Sequence, residues 1–166
     1  RLHELGTSEQ LQQLEDGRLD VGFVRLRFAR PGLTFATVLE EPMVAALPES
    51  HRLASRDVLE LEQLAGEPLV LLTRAGAPGV REALADAIER LGGEEQIVQE
   101  VAEMQTVVGL VAAGVGVSLV PESVRALARP GVVYRTIAGE APSVRLKMAW
   151  RAADESPVLA RFLEMA

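Results

Sequence analysis

Apolar residues recur along this chain with two periods, one near 3.6 and one of 2, and the elements follow from where each period holds. Residues 100–121 show both. Met104, Val107, Val108 and Val111 fall at i, i+3, i+4 and i+7, which is one face of a helix. Gly114 stops it, because glycine takes the left-handed conformation past a helix end without a Cβ clash. Val115, Val117 and Leu119 then alternate with Gly116 and Ser118, predicting a short buried strand closed by Pro121. Pro121 also suits the first turn of a helix carrying Val124 and Leu127.

The same reading covers the rest. Leu2 and Leu5 predict a short strand that begins abruptly. Thr7 and Gln10 form a T-x-x-Q capping box, with Leu11 and Leu14 as the apolar stripe and Gly17 as the stop. Leu19, Val21 and Phe23 mark the inward side of a strand ending in Val24-Arg25-Leu26. After the Pro31-Gly32 turn, residues 35–47 are extended, and Pro42 within them demands an edge, a bulge or a passage between lobes. A polar loop at 48–56, a short helix at 58–64 ended by Gly66, and a buried strand at 69–72 come next. After the loop 73–78, Val80, Leu84, Ala87, Ile88 and Leu91 predict one helix over 79–91, with Asp86 and Arg90 paired at i, i+4 and Gly92 as its stop. Strands follow at 97–101 and 132–137, then a loop at 139–142. Val144, Leu146, Met148 and Trp150 alternate against Arg145 and Lys147 in a half-exposed strand. Ser156 caps a last helix begun by Pro157 and carrying Leu159, Phe162 and Leu163. Alternating strands and helices predict an α/β fold with mainly parallel pairing.

With 166 residues, 48% of them hydrophobic, the chain can bury a sizeable core as one domain or two small lobes. No charge-free apolar run reaches the roughly 20 residues of a membrane span. The absence of cysteine removes disulfides and thiolate metal sites and fits a cytoplasmic protein. A net charge of −7 makes these residues poor binders of nucleic acid, and Arg25, Arg27 and Arg30 are the nearest approach to a basic cluster.

No catalytic set emerges. His3 and His51 have no nucleophile or carboxylate at a telling spacing, and they read as structural or solvent-facing. The pairs Asp16/Asp20, Glu40/Glu41 and Glu94/Glu95 read as solvated carboxylates. GVGVS follows a helix and precedes a strand, the reverse of a phosphate-binding turn. The expectation is a protein that is not an enzyme and uses no cofactor and no metal.

Three stretches carry a family resemblance: VVGLVAAGVGVSLVP at 107–121, LHELGTSEQLQQLEDGRLDVGFVRL at 2–26 and EEPMVAALPESHRLA at 40–54. Together they resemble the effector-binding domain of LysR-type transcriptional regulators over nearly the whole chain. The pairing of ELGT with GFVRL is most similar to regulators of aromatic catabolism that respond to muconate or benzoate. The resemblance implies two Rossmann-like lobes of the type 2 periplasmic-binding-protein class, joined by two crossover strands. Residues 1–41 with 143–166 would form lobe I and 42–142 lobe II, with crossovers at Pro42 and at 137–144. Lobe I would be incomplete, lacking its first strand and helix, and the DNA-binding helix-turn-helix would be absent.

In open α/β sheets ligands sit beyond the carboxyl ends of strands, where loops meet helix N-termini. Thr7 lies there, as an N-cap, a ligand contact or both; the resemblance implies that it contacts effector. Arg25 reads either as half of a surface ion pair or as the anchor of an organic acid, since a planar guanidinium grips a carboxylate through two hydrogen bonds. The resemblance favours the anchor, whose loss at a wet cleft edge would weaken binding with little change in stability. Pro78, Gly79 and Val80 open a helix whose first amides lack intrahelical partners. Val80 stands where muconate-binding relatives carry an aromatic residue. Met104 is either core or ligand contact, and Glu103 either tunes the charge of the site or is an exposed first-turn carboxylate. The implied protein senses a small organic acid between its lobes, forms a homo-oligomer (dimer or tetramer) and reaches DNA only through an N-terminal domain outside these residues. It has no membrane partner. The alternative is a solute-binding protein serving a transporter, which shares the fold.

Overall fold

One long strand organises the molecule, and it serves two sheet regions in succession. The computed structural model describes residues 1–26 and 29–165, so Arg27 of the Arg25, Arg27, Arg30 group lies outside the described residues. The helices are α1 (Thr7–Glu15), α2 (Pro78–Ala83), α3 (Ala85–Leu91), α4 (Met104–Ala112) and α5 (Pro157–Leu163). The strands are β1 (Val21–Arg25), β2 (Leu33–Pro48), β3 (Val58–Leu59), β4 (Leu69–Leu72), β5 (Ile97–Val101), β6 (Ser118–Pro121), β7 (Val132–Ile137) and β8 (Ser143–Arg151).

The sixteen-residue β2 pairs antiparallel with β8 as far as Pro42, and β8 pairs antiparallel with β1. From Met43 onward β2 lies between β6 and β7, antiparallel to both. The change of partners falls at Pro42, which faces Ser143 and has no N–H to give to a ladder. Beyond it, Met43 N–H donates to the Pro142 carbonyl at 2.7 Å. β3 adds parallel to β7, and β4 and β5 form a separate parallel pair.

The fold is α/β, but most of its pairing is antiparallel, against the expectation of mainly parallel strands. Alternation of helices and strands does set the relative direction of successive strands: β6 and β7, both antiparallel to β2, run parallel to each other. It does not say which strand lies between them. Here β2 inserts between β6 and β7, and β8 inserts between β1 and β2.

The main core joins Met43–Leu47 of β2 to β4 and β6, whose residues are all buried. Leu84, Ile88 and Leu91 cover it from one helical layer, and Val107, Val108 and Val111 of α4 from another. A smaller cluster packs Leu11 and Leu14 of α1 on Val24, Leu33 and Ala149. Gly114 has φ +76 and its N–H returns to the Val111 carbonyl, ending α4 as its position predicts.

Several local expectations are overturned. Residues 1–6 form no strand, and Leu2 is fully exposed. Gly6, not Thr7, is the N-cap of α1, and no side chain caps it. Gln10 instead spans outward: Nε2 donates to the Leu5 carbonyl at 2.8 Å and Oε1 accepts from Phe23 N–H at 2.8 Å. In β1 the buried residues are Gly22 and Val24, while Phe23 is exposed. The side facing α1 decides this, because a Cβ at position 22 would stand 2.9 Å from Gln10 Oε1 and 3.3 Å from Leu14. Residues 58–64 form the short β3 and a 3-10 turn (Leu61–Leu64) rather than a helix. The helix expected over 79–91 breaks at Leu84 into α2 and α3, and Arg90 pairs with Glu62, not with Asp86. Val115 is exposed and the strand after it begins at Ser118. Glu122–Leu127 is a 3-10 segment, which buries Val124 and leaves Leu127 exposed.

Candidate ligand-binding cleft

The first turn of α4 and the start of the Glu122–Leu127 segment face each other across a cavity of about 500 Å³. Glu103, Met104, Gln105 and Thr106 line one wall, Ser123 and Leu127 another, and Glu4 a third. Glu103 is extended (φ −114, ψ 137), so the helix starts cleanly at Met104. Thr106 and Val107 N–H turn back to the Glu103 carbonyl. The first N–H groups of a helix have no intrahelical acceptor, and they favour an anion. Among these residues the wall therefore offers donors beside the Glu103 carboxylate.

Beside this cavity three elements are tied together. Arg25, the last residue of β1, donates from Nη2 to Glu41 Oε1 at 3.0 Å, and Glu41 Oε2 accepts from Ser123 N–H at 2.8 Å. Glu41 is only 5% exposed. Burial alone would raise its carboxyl, but the Ser123 amide and the Arg25 guanidinium outweigh burial and hold its pKa below the usual carboxylate value. The Arg25 side chain keeps 32% of its exposure, and its Nε has no hydrogen-bond partner among the described residues.

The start of α2 closes on the same place. Pro78 is the first helical residue, and Gly79 abuts the end of β1 so tightly that a Cβ on it would stand 2.0 Å from the Arg25 carbonyl oxygen. Only glycine permits that approach. Val80 is buried in the main core. Of the expected site residues, then, Arg25, Pro78 and Gly79 meet at one junction and Met104 lines the larger cavity. Thr7 is half-buried in the first turn of α1 and lines neither this cavity nor the two smaller ones.

One expectation about carboxylates is corrected, that of Glu41, while Glu40 stays exposed. Glu41 is not solvated, and Glu40 is bound by Arg145 through Nε at 2.9 Å and Nη2 at 3.1 Å. Consecutive strand residues point to opposite faces, so an adjacent acidic pair on a strand sends one member inward; that signal was available in the sequence. Arg81 was also missed. Its side chain is 2% exposed and donates to Glu94 and to Glu100, tying α2 to β5. His51 is held in its loop: its Nδ1 accepts from Leu53 N–H at 3.2 Å, and Nε2 lies 3.4 Å from Glu67.

A second cavity, of about 280 Å³, lies between α2–α3 and β8, with Leu26, Gly79, Glu82, Asp86, Arg145 and Lys147 on its walls. A third, of about 290 Å³, lies outside α4 against Arg129 and Pro130. Among the described residues no cluster of metal-ligating side chains occurs, and no helix is long and apolar enough to cross a membrane.

A family model described as the LysR substrate binding domain matches residues 1–166. The HTH-type transcriptional regulator CatR of Pseudomonas putida is 35% identical over 164 residues, covering 99% of this chain and 56% of that protein. Full-length CbnR, solved in complex with its target DNA, superposes with a TM-score of 0.84 at 28% identity, over 96% of this chain and 56% of that one. The effector binding domain of BenM, solved with its effector benzoate, superposes with a TM-score of 0.78 at 28% identity, over 99% of this chain and 78% of that one. The chain spans about half the length of the curated relatives it matches.

Proposed function

The chain belongs to the LysR substrate-binding domain family, and from that premise we propose that it is the effector-sensing and oligomerisation region of a LysR-type transcriptional regulator, taking a small organic acid between two lobes. It has the type 2 periplasmic-binding-protein-like α/β fold of the BenM and CbnR effector-binding domains, and it is not an enzyme. The lobes are residues 1–41 with 143–166 and residues 42–142, exchanging chain at Pro42 and again at Pro142 and Ser143. The effector is an aromatic acid or a related catabolic intermediate such as muconate.

One observation carries the reading: Arg25, a partly exposed guanidinium at the junction of β1 and α2, is linked through Glu41 to Ser123 on the wall of the cleft. An incoming carboxylate at Arg25 shares it with Glu41. Binding is thereby coupled to the Glu41–Ser123 tie, which joins the crossover strand to the far wall of the cleft. Thr7 flanks the acid with Arg25 from lobe I, the backbone amides of Gly79 and Val80 meet it from lobe II, and Met104 meets its hydrocarbon part. A ligand shifts the lobes only through different affinity for the two arrangements.

The whole regulator works in the cytoplasm as a dimer or tetramer and reads DNA through a domain outside these residues, in keeping with their net charge of −7. Calorimetric titration with benzoate and cis,cis-muconate tests the ligand class. Saturable binding of either one supports it, and the absence of binding by any small carboxylate sinks it.

A further inference from the structure

Glu40 and Glu41 point to opposite faces of β2, and only the Glu41 face belongs to the cleft just described. On the other face, β8 presents Arg145 and Lys147 at alternate positions toward α2 and α3, leaving the cavity of about 280 Å³ between them. Its two walls carry opposite charge. Glu82 of α2 and Asp86 of α3, on either side of the break at Leu84, form the acidic wall, and Lys147 forms the basic wall. Arg145 is already bound through two nitrogens to Glu40 and brings no free charge.

The charges do not meet. No ion pair among the described residues joins Glu82 or Asp86 to Lys147, although all three line one cavity. Glu82 Oε2 is shielded from solvent and has no hydrogen-bond partner among the described residues. A shielded carboxylate oxygen without a donor is costly, and because Glu82 also lines the cavity, a donor placed there reaches this carboxylate from its accessible side. Leu26, Ala83 and Val144 supply apolar wall between the charged ends.

We propose that this cavity is a second ligand site, adjoining the cleft at Gly79 but with its own charged side chains, which takes a small zwitterion of the α-amino-acid class. The ligand's ammonium donates to Glu82 and Asp86, its carboxylate accepts from Lys147, and a short aliphatic side chain packs on Leu26 and Val144. Among the described residues two acids face one uncommitted lysine, which disfavours a plain carboxylate and separates this site from one built for organic acids. A ligand here bridges α2–α3 to β8 just past the crossover at Ser143, and so favours the arrangement that brings those elements together.

The test uses the protein with three probes that share one alkyl chain: L-norvaline, n-butylamine and pentanoate. Norvaline should bind, and the two single-charge probes should bind at least about tenfold more weakly, since each forfeits a charge-assisted contact. Glu82→Gln and Lys147→Met should each weaken norvaline by about tenfold or more while leaving benzoate binding unchanged. A measurement on the unmodified protein guards against variants that fail to fold. Backbone amide shifts on adding norvaline should move at Glu82–Asp86 and Arg145–Lys147 and stay still at Met104–Thr106. Pentanoate binding as well as norvaline, shifts confined to Met104–Thr106, or no norvaline binding at millimolar concentration would each overturn the proposal. Failure of benzoate to bind bears on the cleft alone.

Discussion

Arg25 and Glu41 are bound to each other at 3.0 Å, and the acid of the pair is the more deeply buried, with a side chain 6% exposed against 32% for the arginine. Removing the arginine therefore strands a carboxylate that water reaches poorly. Arg25→Ala is expected to lower stability by about 1–3 kcal/mol, the range for a charged hydrogen bond discounted for the exposed arginine. The small effect expected of a wet cleft-edge arginine does not apply. The same change should weaken carboxylate binding by roughly tenfold to a hundredfold, and Arg25→Lys should restore only part of both. Urea melts beside calorimetric titrations check both; equal binding by wild type and Arg25→Ala removes Arg25 as the anchor.

Acid should undo this tie in a definite window. The pKa of Glu41 in the folded protein lies below its ordinary value of 4.5, so its contribution to stability is present above that value and is lost as pH falls through the folded pKa. Urea midpoints measured from neutral pH down to about pH 3 should fall less steeply below 4.5 for Glu41→Gln than for wild type. A parallel pair of curves would show that Glu41 adds nothing to acid sensitivity.

Gly79 tests the contact between α2 and β1. Gly79→Ala puts a methyl 2.0 Å from the Arg25 carbonyl oxygen, a backbone atom that cannot swing aside. The helix start must move, at about 1–3 kcal/mol for an overpacked site. Gly6→Ala is the control, since a Cβ there meets nothing within 4 Å. Thermal melting should drop for the first and stay near wild type for the second.

Arg81 should respond asymmetrically. Its partners Glu94 and Glu100 keep 51% and 44% exposure, so they rehydrate when the arginine is replaced. Arg81→Met, which fills similar space and removes an unpartnered buried Nε, is expected to be nearly neutral or stabilising. The double change Glu94→Gln with Glu100→Gln leaves a buried cation without a counter-charge and should cost about 3 kcal/mol or more. Equal destabilisation in the two experiments would contradict this account of the pair.

What the sequence determined by itself was local or carried by pattern. The stripe Val107, Val108, Val111, the stops at Gly17, Gly92 and Gly114, and the buried run Leu69–Leu72 depend on neighbours a few residues away, and each stands in the structure. The family followed from the same stretches. Tertiary structure decided what depends on who sits beside whom. Phe23 and Val24 alternate in either register, and only the arrival of α1 over Gly22 made Val24 the inner one. Strand direction could be read from alternation, yet the insertion of β2 between β6 and β7 could not, because it joins residues far apart in the chain. Arg25 was visible as a candidate from its place at a strand end. That Glu41 and the Ser123 amide hold it and its partner needed the fold, since that tie spans positions 25, 41 and 123, and no local period links residues so far apart.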